Sequence, residues 1–350
     1  MGTMINLKTL SLPELTCWLT AELGQPAFRA QQIYQWIWQK GVTDFEAMTN
    51  LSKEMRQQLR EKAKIESLQL VTSQQARDGT IKALFALPDG QAVETVLMVY
   101  NYGTSVCVSS QVGCRMGCRL CASTLGGLVR NLEAWEIYDQ VLAMQKLSGS
   151  RVGRVVVMGT GEPLDNYDEV VKFLRLVSDR QGLNIGQRHL TVSTSGLVPR
   201  IYDLAREGLA ITLAISLHAP NDQLRSYLLP INRKYPLQKL LAACDFYTEQ
   251  TGRRITYEYA LIKGVNDSEK LARQLGSLLR GRLAHVNLIP INPVPEYDWE
   301  RPEQQEIARF RRIVETYGLE VSVRRELGQE IDAACGQLRR RVMAERSGKG

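Results

Sequence analysis

Six short apolar segments rich in β-branched residues recur between positions 104 and 291 of this 350-residue chain. They read TSVCVS, GRVVVM, RHLTVS, AITLAISL, RITYEYALI and AHVNLIPI. Helical patterns follow most of them, with starts near Leu132, Asp168, Pro199, Pro236, Ser268 and Pro302. Strands and helices in this alternation favour a parallel sheet with right-handed crossovers. The sequence therefore predicts an α/β fold in which six strand–helix units form an open or partial barrel.

Two shorter regions precede this core. The first has helical patterns, with a start at Ser11 and Pro13 and a stop at Gly41. The second alternates apolar and polar residues around Asp78-Gly79 and Asp89-Gly90, dipeptides that are typical of hairpin turns. We predict a small N-terminal helical domain (1–65), a β-rich connector (66–103), the core (104–330) and a C-terminal segment (331–350).

The chain carries a formal net charge of +7, which suits a polyanionic partner such as a nucleic acid. Three basic clusters are either phosphate contacts or solvated faces: Arg311-Arg312, Arg324-Arg325 and Arg339-Arg340-Arg341. No run of about 18 apolar residues is present that would span a bilayer. The start, MGTMINLKTL, lacks the pattern of a secretory signal. We expect a cytoplasmic protein with no membrane partner.

Three of the seven cysteines form a compact motif directly after the first predicted strand. Cys114, Cys118 and Cys121 lie in a Cys-x3-Cys-x2-Cys loop. Thiolates select zinc, copper(I) or iron–sulfur clusters, and a structural zinc site needs a fourth ligand that the surrounding sequence does not offer. Three ligands on a [4Fe-4S] cluster leave one iron open for a ligand. We favour the cluster over a zinc ion or an unligated buried trio.

Polar and glycine-rich turns follow several of the later predicted strands. They are Gly159-Thr160-Gly161-Glu162-Pro163, Ser193-Thr194-Ser195-Gly196, Ser216-Leu217-His218 and Asn292. The C-terminal ends of barrel strands meet at one mouth, so these turns are expected to converge. Glycine lets the backbone approach a ligand closely, and the polar groups offer donors and acceptors to an amino acid and a ribose. Each turn alone is more typical of a structural role, but together, after the cysteine loop, the turns indicate a binding site.

Over its whole length the chain resembles the RlmN-type adenine methyltransferases. The segments that carry the resemblance are PAFRAQQIYQWIWQKGVTDFEAMTNLSK, GCRMGCRLCASTLGGLVRNL, MGTGEPLDNYDEV, ISLHAPND and DAACGQL. Only Thr160 departs mildly from the usual turn. The resemblance implies a radical S-adenosylmethionine enzyme that methylates carbon 2 of an adenine in 23S ribosomal RNA and in transfer RNAs. It also implies a [4Fe-4S] cluster, two S-adenosylmethionine molecules per turnover, and N-terminal helices that dock on RNA.

The resemblance also implies roles for individual residues. Cys114, Cys118 and Cys121 hold the cluster. The residues that bind S-adenosylmethionine are Gly161, Glu162, Ser193, Ser216, Leu217, His218 and Asn292. Cys335 carries the methyl group, Cys107 resolves the protein–RNA adduct by forming a disulfide with it, and Glu94 is a proton acceptor or substrate contact. The expected electron donor is of the flavodoxin or ferredoxin type, and the expected state is a monomer.

Three other functions compete with this interpretation. The first is methylation of carbon 8 of adenine, as in the chloramphenicol–florfenicol resistance methyltransferases, which share the cluster loop and both cysteines. The second is a non-catalytic, metal-stabilised RNA-binding module, which would leave Cys107 and Cys335 unexplained. The third is electron transfer through a fully ligated cluster, which requires a fourth nearby ligand.

Overall fold

Three helices and a short ribbon form the N-terminal part of the molecule. The computed structural model describes residues 4–291, 299–325, 327–328, 331 and 338. The helices are α1 (Leu12–Leu23), α2 (Phe28–Trp38) and α3 (Lys53–Lys62), and the ribbon pairs β1 (Ile5–Asn6) with β2 (Ala63–Lys64). α1 begins at the predicted place, because Ser11 and Glu14 cap each other's backbone N–H groups.

A ten-stranded mixed sheet carries the rest of the fold. Its antiparallel part is the meander β3 (Gln69–Gln75), β4 (Ile81–Ala86), β5 (Ala92–Tyr100) and β6 (Gly103–Val108). Both predicted hairpin turns are confirmed: Gly79 and Gly90 have φ angles of 83° and 82°. The side chains of Asp78 and Asp89 each accept a hydrogen bond from the backbone N–H two residues on. Strands of the predicted connector therefore continue the sheet of the core.

Alternating strands and helices follow from β6 onward. In chain order they are β7 (Gln111–Gly113), β8 (Leu128–Asn131), α4 (Ala134–Ser148), β9 (Val152–Val157), α5 (Tyr167–Ser178), β10 (Leu190–Thr194), α6 (Val198–Arg206), β11 (Thr212–Ser216), α7 (Asp222–Leu228), α8 (Leu237–Thr251), β12 (Ile255–Leu261), α9 (Glu269–Leu279), β13 (Ala284–Pro290), α10 (Gln304–Glu315) and β14 (Glu320–Val323). The sheet order is β14-β13-β12-β11-β10-β9-β6-β5-β4-β3, with β6 and β9 to β14 parallel. None of the described helices is both long and apolar enough to cross a bilayer.

The predicted alternation is confirmed, with additions. All six predicted strands are present, and the six predicted helices begin within two residues of the expected positions. The sequence patterns did not predict β14, α7 or the ribbon of β7 with β8. These elements are short, and a strand of three or four residues shows too few alternations to be recognised.

The sheet curves around a cavity of about 590 Å³. Side chains that alternate along the strands from β5 to β14 line it, for example Arg154, Val156 and Met158. The residues between them, such as Val155 and Val157, are no more than 1% exposed and belong to the hydrophobic core on the opposite face. The curved sheet thus encloses a space that is lined in large part by polar side chains.

A buried ion pair joins the N-terminal helical part to the core. Lys8 Nζ lies 2.6 Å from Asp139 Oδ1 on α4, and both residues are at most 5% exposed. Asp139 Oδ2 also accepts the backbone N–H of Leu68 at 2.8 Å. Burial lowers the pKa of Lys8, and the attraction of Asp139 opposes that effect. The pair compensates two charges that would otherwise be costly to bury.

Asp139→Asn is expected to lower the free energy of unfolding by about 3 kcal/mol, because it leaves the Lys8 ammonium buried without its counter-charge. Urea denaturation measures this change. The control is Glu315→Gln, which breaks the exposed pair between Arg311 and Glu315 and should cost less than about 1 kcal/mol. Equal losses in the two variants would contradict the assignment.

Candidate active site

The cysteine loop is fixed by a backbone contact at its start. Gly113, the last residue of β7, has φ of 80°, and a Cβ at this position would lie 2.0 Å from the carbonyl oxygen of Gly127. That same carbonyl accepts the backbone N–H of Cys114 at 2.9 Å. Glycine is therefore required here, because any side chain would push the two arms of the loop apart.

The three cysteines of the loop line one cavity of about 140 Å³. Burial raises the pKa of Cys114 to about 12 and also raises that of Cys118, and the neighbouring thiols add to both shifts. Metal binding would release these protons, since thiolates are the metal-binding form.

The donor set of the trio fits a cluster. Three cysteine side chains of one loop line the small cavity together. Three thiolate ligands suit a four-iron cluster, whereas a structural zinc ion takes four ligands.

The turn after β9 is packed tightly against the end of β6. The backbone N–H groups of Ser110 and Gln111 both donate to the carbonyl oxygen of Thr160. Added Cβ atoms on Gly159 and Gly161 would lie 2.7–2.9 Å from atoms of residues 108–111. The expectation that these glycines make room for a ligand is thus incomplete, because they first allow the turn to contact the strand beside it.

Glu162 is buried beneath the same cavity. Its carboxylate accepts the backbone N–H of Ser195 at 2.7 Å and that of Leu164 at 3.1 Å. Its own N–H donates to Gln111 Oε1 at 2.9 Å. Burial raises the pKa of Glu162, and these hydrogen bonds oppose the rise. A cationic ligand in the cavity would favour the carboxylate form further.

His218 follows β11 and lines both the small cavity and the larger one. It adopts a left-handed φ of 56°, and its Nδ1 accepts the backbone N–H of Ala260 at 2.9 Å. Burial, together with nearby Arg225, lowers the pKa of His218 to about 3. The imidazole is therefore neutral and carries its proton on Nε2, which makes that atom a hydrogen-bond donor.

Arg225 lies fully buried behind the strand ends, and no sequence pattern pointed to it. Its guanidinium donates to the carbonyl oxygens of Ser195, Ser216 and Leu217 at 2.7–3.2 Å, and to the side chain of Asn232. Burial lowers its pKa to about 10, and the charges of Cys118, Cys244 and Asp222 oppose this. It stays charged at neutral pH and holds two adjacent turns together.

The structure brings most of the predicted site residues together. The small cavity is lined by Cys114, Cys118, Cys121, Gly161, Glu162, Ser193, Ser216 and His218. Leu217 is buried nearby and donates its backbone N–H to Glu258. Asn292 and Cys335 lie outside the described residues.

Glu94 and Cys107 lie on neighbouring strands, away from the small cavity. Glu94 forms a buried ion pair with Lys82 at 3.1 Å. Cys107 pairs in register with Val96, two residues from Glu94, so the two side chains share a face of the sheet.

The three basic clusters identified in the sequence have different outcomes in the structure. Arg311 pairs with Glu315 on α10. Arg324 and Arg325 line the larger cavity. Arg339, Arg340 and Arg341 lie outside the described residues.

Comparison with known proteins agrees with this geometry. Residues 5–65 match the Ribosomal RNA large subunit methyltransferase N-terminal domain, and residues 108–275 match the Radical SAM superfamily. A probable dual-specificity RNA methyltransferase RlmN of Desulforamulus reducens is 56% identical over 338 residues, covering 96% of both chains. The protein of that name from Symbiobacterium thermophilum is also 56% identical, covering 98% of this chain and 93% of its own.

A solved structure matches almost the whole fold. The crystal structure of a radical SAM methyltransferase from Sphaerobacter thermophilus is 48% identical to this chain, with a TM-score of 0.91. The match covers 95% of this chain and 98% of that one.

Gly113→Ala is expected to abolish most cluster incorporation, because the added Cβ would collide with the Gly127 carbonyl. Gly90→Ala is a matched control, since Gly90 has a φ of 82° but nothing within 4 Å of an added Cβ. The control should cost only about 1 kcal/mol of backbone strain. Iron content and visible absorbance after anaerobic reconstitution measure the effect. Equal iron in both variants would rule out the clash.

Arg225→Lys is expected to lower the free energy of unfolding by about 3 kcal/mol, because a lysine cannot reach three separate carbonyl oxygens and leaves some of them unsatisfied. The exposed Arg180 provides a control, and Arg180→Lys should change stability by less than about 0.5 kcal/mol. Urea denaturation of both proteins without metal makes the comparison. A loss below about 1 kcal/mol for Arg225→Lys would show that the guanidinium is not needed.

Proposed function

This chain belongs to the RlmN family of radical S-adenosylmethionine RNA methyltransferases, and we propose that it methylates carbon 2 of adenine in 23S ribosomal RNA and in transfer RNAs. The observation that carries the proposal is the shared cavity. Three cysteines of one loop and the polar turns after β9, β10 and β11 line the same small space. The cysteines would hold the cluster at this space, and the turns would hold the amino acid part of the cofactor.

The residues of the small cavity suit S-adenosylmethionine. The buried carboxylate of Glu162 favours an ammonium group, and the Ser195 hydroxyl is buried without a hydrogen-bond partner in the described structure. Ser193 and Ser216 add two further hydroxyl groups to the wall. His218, neutral and donating through Nε2, offers a hydrogen bond without repelling a sulfonium. We assign cofactor binding to these residues together with Gly161, Leu217 and Asn292.

Carbon 2 of adenine is electron-poor and has no acidic or nucleophilic group, so polar transfer from a sulfonium does not suit it. When bound, the cluster supplies the electron that cleaves S-adenosylmethionine and so gives access to radical chemistry. We assign Cys114, Cys118 and Cys121 as its ligands. Each turnover consumes two cofactor molecules, one as methyl donor and one as radical source. A flavodoxin- or ferredoxin-type protein supplies the electrons.

Cys335 accepts the methyl group in this proposal. Residues on both sides of it contact the antiparallel meander: the backbone N–H of Gly328 donates to Asp78 at 2.8 Å, and Leu338 packs with Leu84 and Ala92. Leu84 is paired in register with Glu94. We assign Glu94, which shares a face of the sheet with Cys107, as the group that takes the ring proton.

Cys107 completes the proposed cycle. Its thiolate attacks the Cys335 sulfur, so that the S–S bond forms while the bond from that sulfur to the methylene carbon of the adduct breaks. The carbon takes up a proton and remains on the base as the methyl group. A reductant must then reduce the disulfide before the next turnover. Residues 1–65 would contact folded RNA, the core would perform the reaction, and the protein would act as a monomer.

The test is mass spectrometry of nucleosides after unmodified 23S ribosomal RNA is incubated with the anaerobically reconstituted protein, S-adenosylmethionine and a reductant. We expect 2-methyladenosine from the native protein, none from Cys118→Ala or Cys335→Ala, and normal yield from Cys17→Ala, which changes an exposed cysteine. Formation of 8-methyladenosine would reassign the position of methylation. The absence of both products, with an intact cluster and a competent RNA, would overturn the proposal.

A further inference from the structure

The larger cavity opens to solvent at a mouth that is basic and aromatic. This basic mouth is defined by Tyr100, Tyr102, Arg154, Arg188, His189 and Arg324, all of which line the cavity. Most of them precede or begin β6, β9 and β10, whereas the cysteine loop follows the opposite end of β6. Tyr102 is 63% exposed. The mouth is therefore separate from the turns that form the cofactor site.

Three planar groups at the mouth are held against one another. The rings of Tyr100 and Tyr102 stack with centroids 4.9 Å apart and an angle of 8° between their planes. The guanidinium of Arg154 lies over the Tyr102 ring at 4.5 Å. Stacking of this kind fixes an arginine in one orientation while leaving its N–H groups available. The arrangement is more ordered than a set of solvated surface charges.

The charge of the mouth is largely uncompensated. Neither Arg154 nor Arg188 forms an ion pair with a carboxylate in the described part of the chain. The acidic residue among the described cavity walls is Glu258, which is bonded to Asn287 and attracted by Arg324. Burial raises the pKa of Glu258 to about 6. An anionic ligand at the mouth would thus meet positive charge first.

The mouth leads to the cofactor site. Met158, Ser193, Ser216 and His218 line both the larger cavity and the small one. A group that enters between Tyr102 and Arg324 therefore reaches the side chains expected to hold the cofactor. The larger cavity, at about 590 Å³, lies within the range that encloses a compact organic group such as a nucleoside.

We infer that the RNA strand docks at the basic mouth and that the target adenine enters the barrel from this end. Single-stranded RNA binds where cationic groups contact phosphates and aromatic rings stack on unpaired bases. Arg154 and Arg188 contact phosphates on either side of the target, and the Tyr102 ring holds the Arg154 guanidinium in place. This inference rests on the proposed function, and it adds the entry side and the residues that receive the RNA.

A second arginine–tyrosine pair in this protein provides a matched control for the basic mouth. Arg119 lies over the Tyr227 ring at 4.3 Å, and Tyr227 is 47% exposed. Arg119 belongs to the cysteine loop, so this second pair lies beside the cofactor site, and neither of its residues lines the larger cavity. If RNA instead docked over the cysteine loop, replacing Tyr227 would weaken RNA binding.

The experiment compares Tyr102→Ala, Arg154→Gln and Tyr227→Ala in the reconstituted holoenzyme, with a 23S ribosomal RNA transcript as the probe. We expect both mouth variants to raise the RNA Kd and KM about tenfold, within the range for loss of one phosphate contact, because Tyr102→Ala removes the ring that orients Arg154. Tyr227→Ala should leave both constants unchanged. Arg154→Gln should also reduce the slope of log Kd against log salt by about one. Tyr102→Phe should retain native binding.

Two further readouts separate possible failures. Reductive cleavage of S-adenosylmethionine without RNA should be unchanged in every variant, which shows that folding and the cofactor site are intact. Unchanged Kd in both mouth variants, or an increase in Tyr227→Ala alone, would overturn the inference. RNA binding is measured without turnover, so mouth-dependent binding without any methylated product would refute the proposed reaction and leave the docking surface supported.

Discussion

The fully buried guanidinium of Arg225 is the interaction on which the cofactor side of the barrel depends. An arginine keeps its charge at neutral pH, and a buried charge costs several kcal/mol unless hydrogen bonds satisfy it. Arg225 obtains these bonds from carbonyl oxygens at the ends of β10 and β11, and from Asn232. To accept these bonds, the carbonyl groups must point toward Arg225. This restricts rotation of the backbone that carries Ser193 and Ser216. A thiolate-bound cluster near Cys118 would add negative charge close to this cation, and cluster binding and local folding should therefore support each other.

Hydrogen bonds extend this rigid arrangement across the strand ends. Gln111, the first residue of β7, accepts the N–H of Glu162 through its side-chain oxygen. The Glu162 carboxylate accepts the N–H of Ser195, and the Ser195 carbonyl accepts from Arg225. The chain of contacts connects the strand that leads to the cysteine loop with the turns after β9, β10 and β11. The polar groups of the cavity are thus oriented before any cofactor arrives, which reduces the ordering that binding must supply.

Sequence patterns predicted the architecture well because it depends on periodicity. Each of the six strands has an apolar run bounded by a turn, and helix starts such as Ser11 and Ser268 carry a side chain that caps the first turn. The same reasoning placed the cysteine loop and the strand-end turns. It missed Arg225 because charged residues in short helices are usually exposed to solvent, and the sequence alone does not show that the fold buries this one. It did not predict that Gly159 and Gly161 pack against residues 108–111, since no sequence pattern shows that contact. Local sequence patterns do not show which segments that are distant along the chain contact each other.

In the proposed reaction, the small cavity holds the cofactor at one end of the barrel, and the larger cavity admits the RNA base at the other end. His218 lines both cavities. Its backbone is left-handed, and its Nδ1 accepts the N–H of Ala260, so only Nε2 carries a proton. A protonated imidazole here would repel both a sulfonium and the arginines of the basic mouth, and burial prevents that charge from forming. Closing an active site prevents side reactions of reactive intermediates. A nucleotide that fills the larger cavity from the mouth would provide the closure, because the substrate itself would block the path to the cofactor.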